Sequence, residues 1–388
     1  MIRRLSRLFL ALLLAAPAGL WPAGAAEAAV AADTFVYAII GDIDSLDPHW
    51  QYDGISHEVQ YQIYETLLFF KGGSVDEFEP MLATVVPDRK NRLVSPDGLS
   101  YAFPLRKGVK FHDGSVMTPE DARYSILRFL LTDRASGPSA LLLEPLLGVQ
   151  TVAGPDGKPR AELFDAAEAA VKLEAGALVL KLKKPYAPLL SVLAAFCPIV
   201  SKGYTSQNGG WDGKKETWTK FYNPGKSEAA LYDRVNGTGP FKLERWDKET
   251  KQVILARNES YWRAPAKLKR VVFRTVGESN TRKLMLQAGD ADMALMERQF
   301  LPQVAEIAGV SVADDLPFLE THNAFIFNFK TKLEGNPYVG SGQLDGEGIP
   351  SDFFADLDLR QGFAHAFDYE AYIKDGYRGK GERARGPI

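Results

Sequence analysis

The chain has 388 residues, 46% hydrophobic and 24% charged, with 46 basic and 49 acidic residues and a formal net charge of −3. That is ordinary globular composition, enough for two or three domains with cores of their own. No run of five like charges occurs, so neither a nucleic-acid footprint nor a polybasic membrane patch is expected.

At the start of the chain, Arg3, Arg4 and Arg7 precede an apolar run from Leu8 to Ala16. Pro17, Gly19, Pro22 and Gly24 follow, and then the small-residue string AGAAEAAVAAD. Basic, apolar and small segments in that order define a secretory signal peptide, with cleavage after Ala25, Ala28 or Ala31. Residues 1–28 are taken as the leader. The rival is an uncleaved anchor, since Leu8 to Ala26 holds no charge; two prolines and two glycines in its second half speak against a spanning helix. Cleavage after Ala28 removes Arg3, Arg4, Arg7 and Glu27 and shifts the net charge from −3 to −5. No later stretch is apolar for long enough to span a bilayer. The single cysteine, Cys197 in SVLAAFCPIV, reads as a small buried hydrophobe. With no cysteine near the cleavage site a lipid anchor is not indicated, and the mature chain is expected to be a soluble periplasmic protein standing on its core alone.

DTFVYAII, Asp33 to Ile40, is β-branched and aromatic and predicts a strand. GDIDSLDPHW is a turn. Apolar spacing at Val59, Ile63, Leu67 and Leu68 predicts a helix from His57 to Phe69, ended by Gly72 and Gly73. Ser100 to Leu105 alternates as a strand. The turn KFHDG then leads to Thr118, a good N-cap, with Pro119 in the first turn and Glu120 and Asp121 at the positive helix end. His112 and Asp113 fall in that turn. Adjacent residues on extended chain point to opposite sides, so the two do not readily share a metal. GALVLKLKKPYAPLL reads as a strand broken at prolines. GTGPFKLERWD and KQVILAR predict two further strands. Val271 to Thr275, the helix Asn280 to Ala288 closed by Gly289, and the strand Ala291 to Leu295 read as a βαβ unit with a parallel pair. NAFIFNF, Asn323 to Phe329, reads as a strand, and Asp358 to Tyr377 as mostly helical. This order predicts α/β lobes, one inserted into another.

Motifs for chemistry are sparse. G-x-S-x-G, Walker and dinucleotide patterns are missing from the sequence. Asp42, Asp44 and Asp47 lack the glycine and distal glutamate of a calcium loop and read as turn caps. His49, His57, His112, His322 and His365 show no zinc spacing, so no metal and no cofactor is expected. Asp290 and Asp292 form the one acid pair on which an exported hydrolase can be imagined; their place after a helix-ending glycine favours a turn and strand. In open α/β folds the crevice lies where strands end and the chain crosses between lobes. That argument selects Tyr52, Asp53 and Gly54; Met296 and Glu297; and Glu320, Thr321, His322 and Asn323.

Taken in order, SLDPHW, YAFPLRKGVKFHDGSVMTPEDARYSI, GTGPFKLERWD, LARNESYW, LMLQAGDADMAL and LRQGFAHAFDYEAYI resemble the extracellular solute-binding proteins of the peptide/nickel type, family 5. The resemblance covers about Asp33 to Ile388. It implies a three-lobed periplasmic binding protein fold of type II: a discontinuous lobe I (residues 33–56 and 186–310), an inserted lobe II (57–185) and the start of lobe III (311–388). It implies a non-enzymatic, monomeric capture subunit for a peptide or other small solute, working with the permease subunits of an ATP-driven importer. It also assigns His112 and Asp113 to a structural turn, and places cleft-lining segments at the nine residues above. Members of the family continue past the point matching ARGPI, so the sequence reads as C-terminally shortened within lobe III. A remnant that folds poorly and binds nothing is the corresponding alternative.

Overall fold

The β-branched and aromatic run TFVYAI forms strand β1, Thr34–Ile39, in the computed structural model, which describes residues 32–313, 316 and 325–383. A long loop leads to helix α1, Gly54–Ile63. This helix ends earlier than the apolar spacing from His57 to Phe69 predicts. Tyr64 is already extended, at φ −112° and ψ 159°, and the aromatic residues beyond it form β2, Leu68–Phe70, antiparallel to β3, Phe78–Pro80. A continuous apolar run satisfies helix and strand patterns alike, and here the partner strand decides.

Strand β4, Ser100–Pro104, precedes helix α2, Pro119–Thr132. The start of α2 follows the sequence. Thr118 Oγ1 accepts from Asp121 N at 3.3 Å, and the Asp121 carboxylate accepts from Thr118 N at 2.8 Å, a reciprocal cap with Pro119 behind it. Ala122, Ile126, Phe129 and Leu130 make its fully buried face. Helices α3, Ala140–Leu147, and α4, Leu163–Ala170, pack against α2. The chain then turns through β5, Val171–Glu174, and β6, Ala177–Lys181, which with β4 form an antiparallel sheet in the order β4-β6-β5. Helices α5, Leu189–Phe196, and α6, Lys202–Gln207, follow.

The last strands return to the first. Strands β7, Phe241–Asp247, β8, Gln252–Arg257, and β9, Arg270–Thr275, are followed by helix α7, Ser279–Ala288, and β10, Met293–Ala294. The sheet order is β10-β1-β9-β8-β7. Strand β1 runs parallel to both its neighbours, with Tyr37 opposite Phe273 on one side and Met293 on the other. The strands flanking α7 are therefore parallel as expected but not adjacent, because β9 already has β8 on its other edge. Gly289, at φ +77°, ends α7 in a conformation that glycine enters without steric cost. Helix α1 covers one face of the sheet, where Tyr37 and Ile39 join Val59 and Ile63 in the main core. Helix α7 covers the other, where Val36 and Ala38 meet Met285 and Ala291.

Two knots tie this sheet to the residues inserted between β1 and β7. In the first, the GTG segment threads between α1 and the His112 turn. Gly239 N donates to Ile63 O at 2.9 Å, His112 N donates to Gly237 O at 2.9 Å, and His112 Nε2 donates to Gly239 O at 3.0 Å. Asp113 and the Asn236 side chain exchange two further bonds of 2.8 and 3.0 Å. A Cβ on Gly237 would lie 2.0 Å from Ile63 O, so no other residue fits there. The His-Asp pair is thus scaffold. In the second knot, the buried carboxylate of Glu65 accepts from Thr238 Oγ1 at 2.7 Å, Tyr261 OH at 2.7 Å and Trp262 Nε1 at 2.8 Å.

Beyond α8, Leu301–Ala305, the described residues hold one longer helix, α9, Leu357–Ala366. The strand expected at Asn323 to Phe329 is not formed over its described part, residues 325–329, where no neighbouring strand pairs with it among the described residues. Phe325 and Ile326 are 79% and 85% exposed.

Candidate functional site

Strands β1, β9 and β10 point the same way, so their C-terminal ends share one edge of the sheet, the place where an α/β fold opens a crevice. The ends are stitched together: Val276 N donates to Ile39 O at 2.8 Å, Leu295 N to Ala38 O at 3.1 Å, and Thr275 Oγ1 to Gly41 O at 3.1 Å. The start of α1 packs on the same edge. A Cβ on Gly41 would lie 2.8 Å from Ile55 Cδ1, and Asp44 N donates to Ser56 Oγ at 2.9 Å. The structure therefore brings the Tyr52–Gly54 loop and the Met296–Glu297 loop to one edge.

The individual residues differ in what they can do there. Asp53 is the N-cap of α1: its Oδ1 accepts from Ser56 N at 2.8 Å, while Oδ2 is buried and has no hydrogen-bond partner within the protein. Gly54, the first helical residue, is exposed. Tyr52 is 45% exposed and its ring meets that of Phe196 at 5.5 Å. Met296 is half-buried. Glu297 is committed to the fold: its Oε2 accepts from Arg282 Nη2 and from Ser279 Oγ, both at 2.7 Å. Burial alone would push this carboxyl up, but the Ser279 and Arg282 donors hold it below its ordinary value. Arg282, fully buried, also donates Nη1 to Val276 O at 2.6 Å and Nε to Leu295 O at 2.8 Å. It staples the segments that follow β9 and β10 together, a role that a lone arginine in TRKLM does not announce. Its one sequence signal is that Arg282 and Met285 lie three apart on the buried face of α7. Glu320, Thr321, His322 and Asn323 lie outside the described residues.

An open concavity of about 510 Å³ is lined by Leu141, Glu144, Pro145, Gln150, Thr151 and Tyr186. Burial raises the Tyr186 hydroxyl above its ordinary value, with Glu144 and then Tyr52 close enough to add to the effect.

Other candidates are absorbed by structure. The Asp292 carboxylate accepts from Val36 N at 2.8 Å, and Asp292 N donates to Val36 O at 2.9 Å, so this residue continues the β1 ladder rather than pairing with Asp290. Burial pushes His49 down to about 3, with the Arg128 charge adding, and His57 and His112 each down to about 4. All three are neutral imidazoles in the folded chain. Among the described residues no group of three or more His, Cys, Asp or Glu is placed to hold a metal, and no helix is long and apolar enough to cross a membrane.

A mixed sheet built from one early strand and four strands some two hundred residues later, with further sheets wired in between, is the fold of the type II periplasmic binding proteins. The comparisons agree. The family model described as "Bacterial extracellular solute-binding proteins, family 5 Middle" matches residues 77–388, and the chain belongs to that family. Among similar proteins, Heme-binding protein A of Haemophilus influenzae is 29% identical over 92% of this chain and 57% of the relative. The Probable D,D-dipeptide-binding periplasmic protein DdpA of Escherichia coli is 27% identical over 94% of this chain and 58% of the relative. Among solved structures, the periplasmic binding protein DppA from Helicobacter pylori in complex with peptide STSA superposes with a TM-score of 0.59 at 26% identity, covering 89% of this chain and 58% of that one. NikZ from Campylobacter jejuni in complex with Ni(L-His) shares the fold, with a TM-score of 0.62 at 19% identity over 92% of this chain and 58% of that one. The chain thus spans a little under three fifths of the length of the relatives it matches.

Proposed function

We propose that this chain is the periplasmic substrate-binding component of an ABC importer, exported by residues 1–28 and acting as a monomer. It captures a peptide-like or other small polar solute and delivers it to a membrane permease. In this reading residues 33–56 with 186–310 form lobe I, 57–185 lobe II, and 311 onward belongs to the lobe that closes over the solute. The observation that carries it is the shared edge of β1, β9 and β10, where the start of α1 and the Arg282-stapled loop leave Tyr52, Asp53, Gly54 and Met296 beside a crevice. Names of relatives that bind a D,D-dipeptide, a di/tripeptide or glutathione support the peptide-like class. Glu320 to Asn323 are proposed as contacts from the crossover into the closing lobe.

The test is ligand-linked stabilisation of the full-length protein across a panel of di- to tetrapeptides, glutathione, heme and nickel–histidine. A solute at 100 times its Kd raises stability by about 2.7 kcal/mol, which shifts the melting midpoint visibly. No shift from any solute would overturn the proposal. The mass of the exported protein checks the leader, since cleavage after Ala28 leaves Ala29 as the first residue.

A further inference from the structure

The His112 turn holds a buried nitrogen that the fold does not use. The imidazole Nε2 donates to Gly239 O at 3.0 Å, so the neutral ring carries its proton there and Nδ1 keeps a bare lone pair. Nδ1 is buried and has no hydrogen-bond partner within the protein. A second proton on the ring would sit on Nδ1 and find no acceptor. The neighbouring carboxylate is committed. Asp113 Oδ1 accepts from Ser115 N and Oγ at 2.9 and 2.6 Å, and its Oδ2 accepts from Asn236 Nδ2 at 2.8 Å. Tyr204, with Arg234 close to it, faces Asp113. A cation is already in place, since Lys242 Nζ on β7 donates to His112 O at 3.3 Å. The end of α1 brings no free anion: burial keeps the Tyr64 hydroxyl protonated, and the Glu65 carboxylate is taken by Thr238, Tyr261 and Trp262. Asn258, after β8, adds only a neutral amide, donating Nδ2 to Gly239 O at 3.0 Å.

This nitrogen lies in a joint. His112 N donates to Gly237 O at 2.9 Å and Asp113 N to Asn236 Oδ1 at 3.0 Å, while Met117 N to Val109 O and Phe111 N to Ser115 O, both at 2.8 Å, close the turn on itself. We infer that the turn is an acid-released latch: it fastens the inserted residues to the GTG segment while the imidazole is neutral, and a proton on Nδ1 opens it locally, before the sheet unfolds. Once released, the ring can carry both protons into water, where each N–H finds a partner. In the closed turn burial works against the Gly239 bond, Lys242 adds to burial, and the ring stays neutral down to about 4; in the open turn it takes up a proton near 6.5. Opening is therefore unchanged above 6.5 and is favoured as pH falls toward 4, on the order of fiftyfold by pH 4.5. The latch is independent of what the chain binds.

The test is native-state hydrogen exchange of the full-length protein at pH 7.5 and 4.5, each amide corrected for its intrinsic rate. The amides of His112, Asp113 and Met117 are expected to lose protection by about fiftyfold at pH 4.5, while those of β8, which has a partner strand on both edges, keep theirs. His112→Gln retains a side-chain N–H for Gly239 O and cannot take the second proton, so it is expected to stay closed at pH 4.5. Unchanged protection of the turn in the native sequence would overturn the latch. So would an equal loss in the turn and in β8, which is global unfolding, or a His112→Gln protein that opens at the same pH, which makes another group the trigger. If His112→Gln does not fold, the ring's own titration decides by nuclear magnetic resonance: His112 should gain its proton as the turn loses protection, and a ring that is protonated while the turn stays protected sinks the idea.

Discussion

Asp47 reads in the sequence as one turn residue of SLDP, and it does cap that turn, accepting from His49 N at 3.1 Å. Its larger role is hidden. Arg128, 81 residues away on α2, reaches it with both terminal nitrogens, Nη1 to Oδ1 at 2.8 Å and Nη2 to Oδ2 at 2.5 Å, and both side chains are almost completely buried. Nothing local in a helical arginine shows that it faces inward toward a carboxylate. Removing one partner strands a buried charge, so Arg128→Met is expected to destabilise the chain by about 3–5 kcal/mol, measured as a drop in urea midpoint at unchanged slope. The double change with Asp47→Leu should recover much of the loss, because the stranded carboxylate is then gone.

The buried histidines give a pH dependence whose sign follows from their depressed values. His49, His57 and His112 are held neutral down to about 3, 4 and 4, whereas in the unfolded chain each takes up a proton near 6.5. Their contribution is fully present above 6.5 and is lost as pH falls from 6.5 toward 4. The loss is on the order of 1.4 kcal/mol per pH unit per histidine over that window. His57 makes ring contacts but accepts no charge partner, so His57→Phe is expected to flatten the slope of stability against pH between 6 and 4.5 by about one proton. An unchanged slope would show that His57 protonates as easily in the folded chain as in the unfolded one.

At the level of elements, what could be read was what is local. The start of α2 is set by four neighbouring residues, Thr118 to Asp121, and the cap forms as their order predicts. Thr118→Ala is expected to lower stability by about 1 kcal/mol in thermal unfolding. The end of α1 departs from the periodic pattern because β3, which makes Leu68–Phe70 a strand, lies across a loop that the pattern of residues 57–69 does not contain. The candidate site divides in the same way. The position of the Tyr52–Gly54 loop followed from strand-end topology, while Phe196, Tyr186 and Arg282 come from other elements and carried no motif. The Glu65 knot is the clearest non-local device. Trp262, one of its donors, is also flanked by the Arg106 and Arg263 guanidinium groups at 4.4 and 4.6 Å from its ring. Glu65→Ala orphans three donors at once and is expected to cost about 3 kcal/mol or more, with a changed tryptophan emission as the local signature.

For the whole molecule, the discontinuous sheet means that the residues between β1 and β7 cannot be moved independently of it. The Glu65 and Gly237–His112 knots hold them to the loops that flank β7 and β8. In the proposed function, closure over a solute is therefore a motion of the residues beyond 310 against a rigid remainder. Small-angle scattering of the full-length protein with and without solute should show compaction. A spin-label pair at Ser74 and Lys248, on the two sides of these knots, should keep one distance throughout.

Strand β1 has a further consequence, which concerns time. It is the first strand among the described residues, yet Thr34 finds its sheet partner Arg270 only 236 residues later, and the second neighbour, β10, comes after that. At 5–20 residues per second, roughly ten seconds to most of a minute pass before β1 can be paired on either side. Pairings this distant are also slow to form once available, because the loop must close before any contact rewards it. A nascent chain wired in this way carries an unpaired internal strand until β9 has been made. That delay is what a polypeptide needs if it is to be threaded through a membrane before it folds.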